Sequence, residues 1–280
     1  MDAQAVMILV ISFFLVDYIW ETVLTVTNMR HMKTHAEDVP DFMEPGKNME
    51  TIRRSVEYSL VKSRFSILVS SFSAVFLLVL MALSFFGRID SWLSGFNLGL
   101  YVHGIVYLFS MGLVFSLFSL PAGLFGQFVI EKRFGFSTMT PGLFFMDRFK
   151  GLVIGAVLGI PLLMVLFWFM ETTGTWWWLF ASGFFVIFQF VVSILYPTVI
   201  APLFNKFHPL PEGELKQKIS ALMEKQGYKA SGIFIMDGSR RSRHSNAYFT
   251  GMGRAKRIVL FDTLVQSMTP DEITAVFAHE

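Results

Sequence analysis

The 280-residue sequence contains no cysteine. Disulfides are thereby excluded, and so are thiolate-bound zinc sites, which leaves imidazole and carboxylate as the only side chains able to hold a metal. The missing cysteine does not by itself select a compartment. Charge is scarce as well. Asp, Glu, Lys and Arg make up 16% of the residues, against about a quarter in a soluble domain. A formal net charge of +2 is too small to suggest a nucleic-acid partner. The glycines nowhere take phosphate-loop spacing, so a nucleotide site has little support. What the sequence has in excess is apolar side chains, 54% of the total. They are gathered into long runs, the pattern of a chain embedded in a bilayer.

Five runs are long and apolar enough to cross as helices, a crossing needing about 20 residues. They extend roughly from Ala5 to Val26, Phe65 to Phe86, Leu98 to Leu124, Leu152 to Met170 and Trp176 to Ile200. The first is read as a retained span rather than a signal peptide. Asp2 stands where a basic start is usual, and Asp17, Trp20 and Glu21 interrupt the place for a cleavage site. Basic residues then set the orientation. Arg30, Lys33, Lys47, Arg53, Arg54, Lys62 and Arg64 lie between spans one and two, and Lys132, Arg133, Arg148 and Lys150 between three and four. The alternate loops offer only Arg88. The positive-inside rule makes the rich loops cytoplasmic, with the N-terminus outside and everything after Ile200 in the cytoplasm.

Two features lie inside the spans. Gly151, Gly155 and Gly159 recur every four residues and predict a small-residue seam for a neighbouring helix. Asp17 and Glu21 share one face of span one. Either they sit at the membrane interface, or they face a water-filled interior or a polar partner elsewhere in the protein.

From Ala201 the composition turns soluble, which divides the chain into a transmembrane region at 1–200 and a second region at 201–280. Pro202, Pro209 and Pro211 punctuate a connector. Glu212 to Gln226 has the pattern of a surface helix, with Leu215, Ile219 and Leu222 on one face and Gly227 as its stop. Gly232 to Met236, Asn246 to Phe249 and Arg257 to Asp262 are predicted strands, the last two joined as a hairpin through Gly251-Met252-Gly253. The expected fold is therefore mainly α: a polytopic helical membrane protein with a small cytoplasmic α+β segment rather than a βαβ repeat. Arg240, Arg241 and Arg243 form a basic cluster, read as a solvated, membrane-proximal loop in preference to a substrate contact.

The last element is a helix with a strong start signal. Thr269 is the N-cap, Pro270 the first helical position, and Glu272 completes a capping box. Ile273, Val276 and Phe277 form its buried face, and it reaches His279 and Glu280. Alone, a His-Glu pair is weak evidence, because a lone helical His is usually structural. In an H-E-x-x-H zinc helix, however, two His four apart hold the metal, and the intervening Glu takes a proton from the water that attacks a peptide carbonyl. A zinc protease is thus one of the readings open to this end of the chain.

Longer stretches carry a resemblance. They are Trp20-Glu21-Thr22, FVIEKRFGF (Phe128 to Phe136), IAPLFNKFHPLPEG (Ile200 to Gly213), SRRSRHSNAYFTGMGRAKRIVLFDTL (Ser239 to Leu264) and AVFAHE at the end. In this order they resemble the type 1 CAAX prenyl proteases, integral-membrane zinc endopeptidases of the endoplasmic reticulum and of the bacterial inner membrane. The resemblance implies about seven spans around a water-filled chamber, with one Zn²⁺ held by two His and a distant Glu. On matching positions it implies that His279 is a metal ligand and Glu280 the general base. It also implies that Asn246 and Ala247 belong to an edge strand that binds the substrate backbone by strand addition; for Asn246 the alternative is a turn residue entering a strand.

The implied partners are the bilayer and a peptide or membrane-protein substrate, lipidated or not. A bacterial source would favour membrane-protein quality control over prenylated peptides. The second His and the Glu ligand are expected beyond residue 280. Since a catalytic zinc needs three protein ligands, the 280 residues alone are expected to be inactive and to bind zinc poorly. Two other readings stay open. One is a membrane scaffold or transporter with an incidental His-Glu. The other is a related heat-shock membrane protease, against which the five spans count.

Overall fold

The computed structural model describes residues 2–36, 49–227, 230–251 and 256–279. Lys47, Met252, Gly253 and Glu280, all named above, lie outside them. The chain divides into two compact units, residues 1–97 with 119–123 and residues 98–118 with 124–280. Five helical segments are long and apolar enough to cross a membrane: Gln4–Thr34, Met49–Ala82, Leu100–Arg133, Pro141–Thr172 and Gly174–Phe204. The helices run past the hydropathic limits because helical hydrogen bonding continues into the polar flanks.

In the first unit, α1 (Ala3–Thr34) starts on Asp2, whose Oδ1 accepts from the Ala5 amide at 2.7 Å. α2 (Met49–Ala82) runs back along it, and Tyr18 Oη and Ser71 Oγ hydrogen-bond across the pair at 2.7 Å. Asp17 and Glu21 are both exposed on α1. A turn at Leu83 and Ser84 ends the second span, and Ser84 takes a positive φ of 50°. Phe86, read above as the end of that span, falls instead on α3 (Phe85–Ser94).

α4 (Leu100–Phe125) ends in a π-helical turn, Gly126–Ile130, and the single turn α5 (Glu131–Arg133). α6 (Pro141–Thr172) is capped by Thr140, whose hydroxyl accepts from the Leu143 amide at 3.3 Å. α7 (Trp177–Leu195) passes into a second π-helical turn, Tyr196–Ile200, then α8 (Ala201–Phe204).

Among the described residues the expected glycine seam is not packed. Nothing lies within 4 Å of a Cβ built on Gly151, Gly155 or Gly159, so among the described residues no helix uses it. The close approach occurs instead at Gly104 of α4, where a Cβ would collide with the Phe167 ring of α6. A four-residue spacing shows that a face is small; it does not say which face is covered.

After α8 the chain forms a four-stranded mixed sheet in the order β1-β2-β4-β3. β1 (Phe207–Pro209), inside the predicted connector, was missed because it is three residues long and ends in proline. That proline is tolerated because β1 is an edge strand. β2 (Ile233–Met236) pairs antiparallel with β1 and parallel with β4 (Arg257–Phe261). β3 (Ala247–Thr250) pairs antiparallel with β4, as the hairpin reading expects. α9 (Glu214–Lys225) ends at Gly227, whose φ of 65° suits a glycine stop. Ile219, Ile258, Leu260, Leu264 and Ile273 are almost wholly buried. They form one core between the sheet, α9, α10 (Asp262–Ser267) and α11 (Pro270–His279).

Candidate active site

α11 forms because its start is doubly capped. The Thr269 amide and hydroxyl both donate to Glu272 Oε2 at 2.8 Å, and the Glu272 amide donates back to Thr269 Oγ1 at 3.4 Å. These bonds, the backbone one first, hold the Glu272 carboxyl below its ordinary pKa. Lys218 of α9 reaches Asp271 at 2.5 Å and Glu214 at 2.6 Å, and the hydrogen bonds to Asp271 and then Glu214 raise its pKa. Ile273 and Phe277 enter the core, while Val276 is half-buried. The Phe277 ring lies 4.9 Å from that of Phe249, so α11 rests against β3. Two residues past Phe277, His279 is exposed at the end of the helix.

Among the described residues β3 pairs with β4 alone, leaving its other edge open. The Phe261 amide donates to the Asn246 carbonyl at 3.0 Å. By antiparallel alternation, residues 246, 248 and 250 then spend their backbone groups on β4, and Ala247 and Phe249 direct theirs to the open edge. The Ala247 side chain is buried and its amide donates to Asn246 Oδ1 at 2.9 Å. Asn246 lies just before the strand and is exposed. Tyr248 faces the opposite side of the sheet, where burial first and then Tyr196 push its hydroxyl up to about 12.

The segment leading into β3 is held from several directions. Arg241 forms a two-pronged ion pair with Asp147 of α6, at 2.7 and 2.9 Å. It also donates to Asn205 Oδ1 at 2.6 Å and to the Phe204 carbonyl at 2.7 Å. This corrects the reading of the arginine cluster as a solvated loop. Arg240 and Arg243 are exposed, but Arg241 is only 19% exposed because four acceptors surround its guanidinium. Ser137 bridges to Ser242, the Arg243 amide donates to the Phe136 carbonyl at 2.8 Å, and the His244 ring stacks on Phe136 at 4.3 Å. His244 Nε2 lies 3.3 Å from Glu131 Oε2. Asp262, read as the end of a strand, instead opens α10 and accepts from the Ser239 and Thr263 amides at 2.8 Å each.

The fold therefore brings Asn246, Ala247 and the helix bearing His279 onto one packed unit. Asp147, Asn205 and Arg241 were missed as a group. Their partners are 36 and 94 residues apart in sequence, and no periodicity links them. Among the described residues no group of three His, Asp or Glu is placed to hold a metal ion. His279 is one imidazole, so these residues do not by themselves fit a catalytic zinc.

An apolar five-helix region joined to a small mixed sheet with β3 at its edge, and a helix that carries His279 at its end, define a class: the multi-pass membrane proteins with a peptidase-type sheet and helix. Residues 28–206 match the family model for the CAAX prenyl protease N-terminal region of five membrane helices, and residues 209–280 match peptidase family M48. The chain belongs to the CAAX prenyl protease family. It is 36% identical to the CAAX prenyl protease 1 homolog of Arabidopsis thaliana, over 97% of this chain and 65% of that protein. Identity to the CAAX prenyl protease 1 of Saccharomyces cerevisiae is 33%, over 98% of this chain and 62% of that one. The crystal structure of S. mikatae Ste24p superposes with a TM-score of 0.88 at 34% identity, covering 98% of this chain and 65% of that one. The chain thus spans less than two thirds of the length of the relatives it matches.

Proposed function

We propose that these residues form part of a membrane-embedded zinc metalloendopeptidase that cleaves hydrophobic, lipidated or CAAX-type peptides. The observation that carries this reading is the open edge of β3, held against the helix that ends in His279. An extended peptide adds to that edge through the backbone groups of Ala247 and Phe249, with Asn246 at its entrance. His279 serves as one metal ligand, and Glu280 takes the proton of the attacking water. Zinc, when bound, supplies the Lewis acidity that activates water and polarises the scissile carbonyl. The 280 residues alone hold zinc weakly and do not cleave, because they contribute one ligand of the three required.

The proposed division is a transmembrane region at 1–200 and a peptidase region from 201. Loop charges support an N-terminus outside and a cytoplasmic sheet, in the endoplasmic reticulum or the bacterial inner membrane. Lys150 Nζ donates to the Leu203 carbonyl at 2.7 Å, which supports placing the start of span four and the end of span five at one membrane face. The test is hydrolysis of a quenched-fluorescent prenylated peptide by the complete gene product. Glu280→Gln and His279→Ala are each expected to abolish cleavage, and His279→Ala also to release zinc. Full activity in both variants would sink the reading.

A further inference from the structure

Between α1 and α2 lies an open groove of about 410 Å³, lined by Leu24, Thr25, Asn28, Lys62, Ser63 and Ser66. Five of these six side chains are polar, although the helices that bear them are otherwise apolar enough to span a membrane. The polar groups of the two helices are not equally committed. Deeper in the pair, the hydroxyls of Thr22, Ser70 and Ser71 each bond a carbonyl of their own helix, at 2.8, 3.0 and 2.7 Å. Thr25, Asn28, Ser63 and Ser66 make no side-chain hydrogen bond among the described residues. Three hydroxyls and an amide therefore converge on the groove as donors, beside the ammonium of Lys62.

Lys62 lines the groove, and its ammonium also lies over the Tyr58 ring, 5.0 Å from its centroid, and donates to the Tyr58 hydroxyl at 3.0 Å. Arg30 and Arg64, close in sequence to lining residues, are exposed. Glu21 lies one turn deeper on α1 and is not part of the lining. Hydroxyl and amide donors around one lysine suit a tetrahedral oxyanion. At the mouth of a spanning helix pair, where the basic loop begins, the abundant tetrahedral oxyanion is the phosphate of a lipid headgroup.

We propose that the α1–α2 groove is a phospholipid site. The headgroup phosphate of an anionic lipid sits on Lys62 and is hydrogen-bonded by Thr25, Asn28, Ser63 and Ser66. The acyl chains run along the apolar surface below. This site is independent of the peptidase reading and uses none of its residues.

The test is lipid retention by the purified protein in detergent, read by native mass spectrometry after titration with phosphatidylglycerol. Parallel arms use phosphatidylcholine of the same acyl chains and inorganic phosphate alone. One phosphatidylglycerol is expected to be retained, about tenfold more tightly than phosphatidylcholine. Lys62→Ala is expected to erase that preference, and Lys62→Arg to keep it. Because Lys62 is exposed, the alanine variant is expected to unfold at the wild-type temperature, which separates lost binding from lost folding. Equal retention of the two lipids, a preference unchanged in Lys62→Ala, or stabilisation by inorganic phosphate as strong as by the lipid would each overturn the proposal.

Discussion

Arg241 and Asp147 meet in a forked ion pair, Nε to Oδ2 at 2.7 Å and Nη2 to Oδ1 at 2.9 Å, with both side chains less than one-fifth exposed. The pair ties the segment that precedes the open-edged strand to the start of a membrane-spanning helix. Asn205 Oδ1 and the Phe204 carbonyl satisfy further protons of the guanidinium. Removing one member of such a pair leaves the other charged and partly desolvated, at a cost of about 3 kcal/mol. Asp147→Asn and Arg241→Ala are expected to lower the unfolding temperature in detergent. Arg241→Lys is expected to recover little of it, because an ammonium cannot reproduce the fork. A lysine variant as stable as wild type would show that charge alone suffices.

The Asn246 side chain already occupies the first donor of the open edge, Ala247 N–H, at 2.9 Å. An incoming peptide must turn that amide away. Asn246→Asp strengthens the internal bond through its charge, so KM for a peptide substrate of the complete protein is expected to rise about tenfold with little change in kcat. Asn246→Ala uncaps the edge, so it is not expected to raise KM as the aspartate does. Kinetics of the two variants side by side check this, and identical KM values for both would refute the capping role.

Tyr248 titrates at about 12 because burial, aided by Tyr196, disfavours its phenolate. The unfolded chain ionises near pH 10. A raised folded-state pKa contributes stability that is complete below pH 10 and is lost as pH rises through 12. Tyr248→Phe is expected to keep the edge-to-face contact with Phe261, whose ring lies 6.1 Å away, and to flatten this alkaline loss. Unfolding temperatures measured between pH 9 and 12 for both proteins decide it.

The Thr269–Glu272 capping box predicts a loss at the acidic end. Hydrogen bonds from Thr269 depress the Glu272 pKa, so its contribution is present above the ordinary carboxyl range and disappears as pH falls through the lowered value. Thr269→Ala is expected to fray the first turn of α11 and lower the unfolding temperature by a few degrees. Amide exchange at residues 271–274 would report that fraying directly; unchanged exchange would mean the helix is held by its core contacts alone.

Much of this molecule was readable as sequence. The five spans follow from apolar runs longer than any soluble helix needs. The start of α11 follows from four consecutive residues, Thr269 to Glu272, and the stop of α9 from one glycine. Each is a local signal, written within a turn or two of the structure it produces. The elements that escaped are those whose partners are distant. Pro209 ends a strand only because β2 offers it a partner, and Gly151, Gly155 and Gly159 are small without being covered by any described residue.

By itself the amino-acid order determined the membrane class, the hairpin of β3 and β4 and the capped helix leading to His279, because hydropathy, turn chemistry and capping act between near neighbours. Only the tertiary structure decided which backbone groups of β3 face away from β4, that Arg241 is anchored rather than solvated, and that a polar groove opens between α1 and α2. Those properties depend on which side chain meets which across tens of residues. There, burial and pairing are set by the closure of the fold rather than by local sequence.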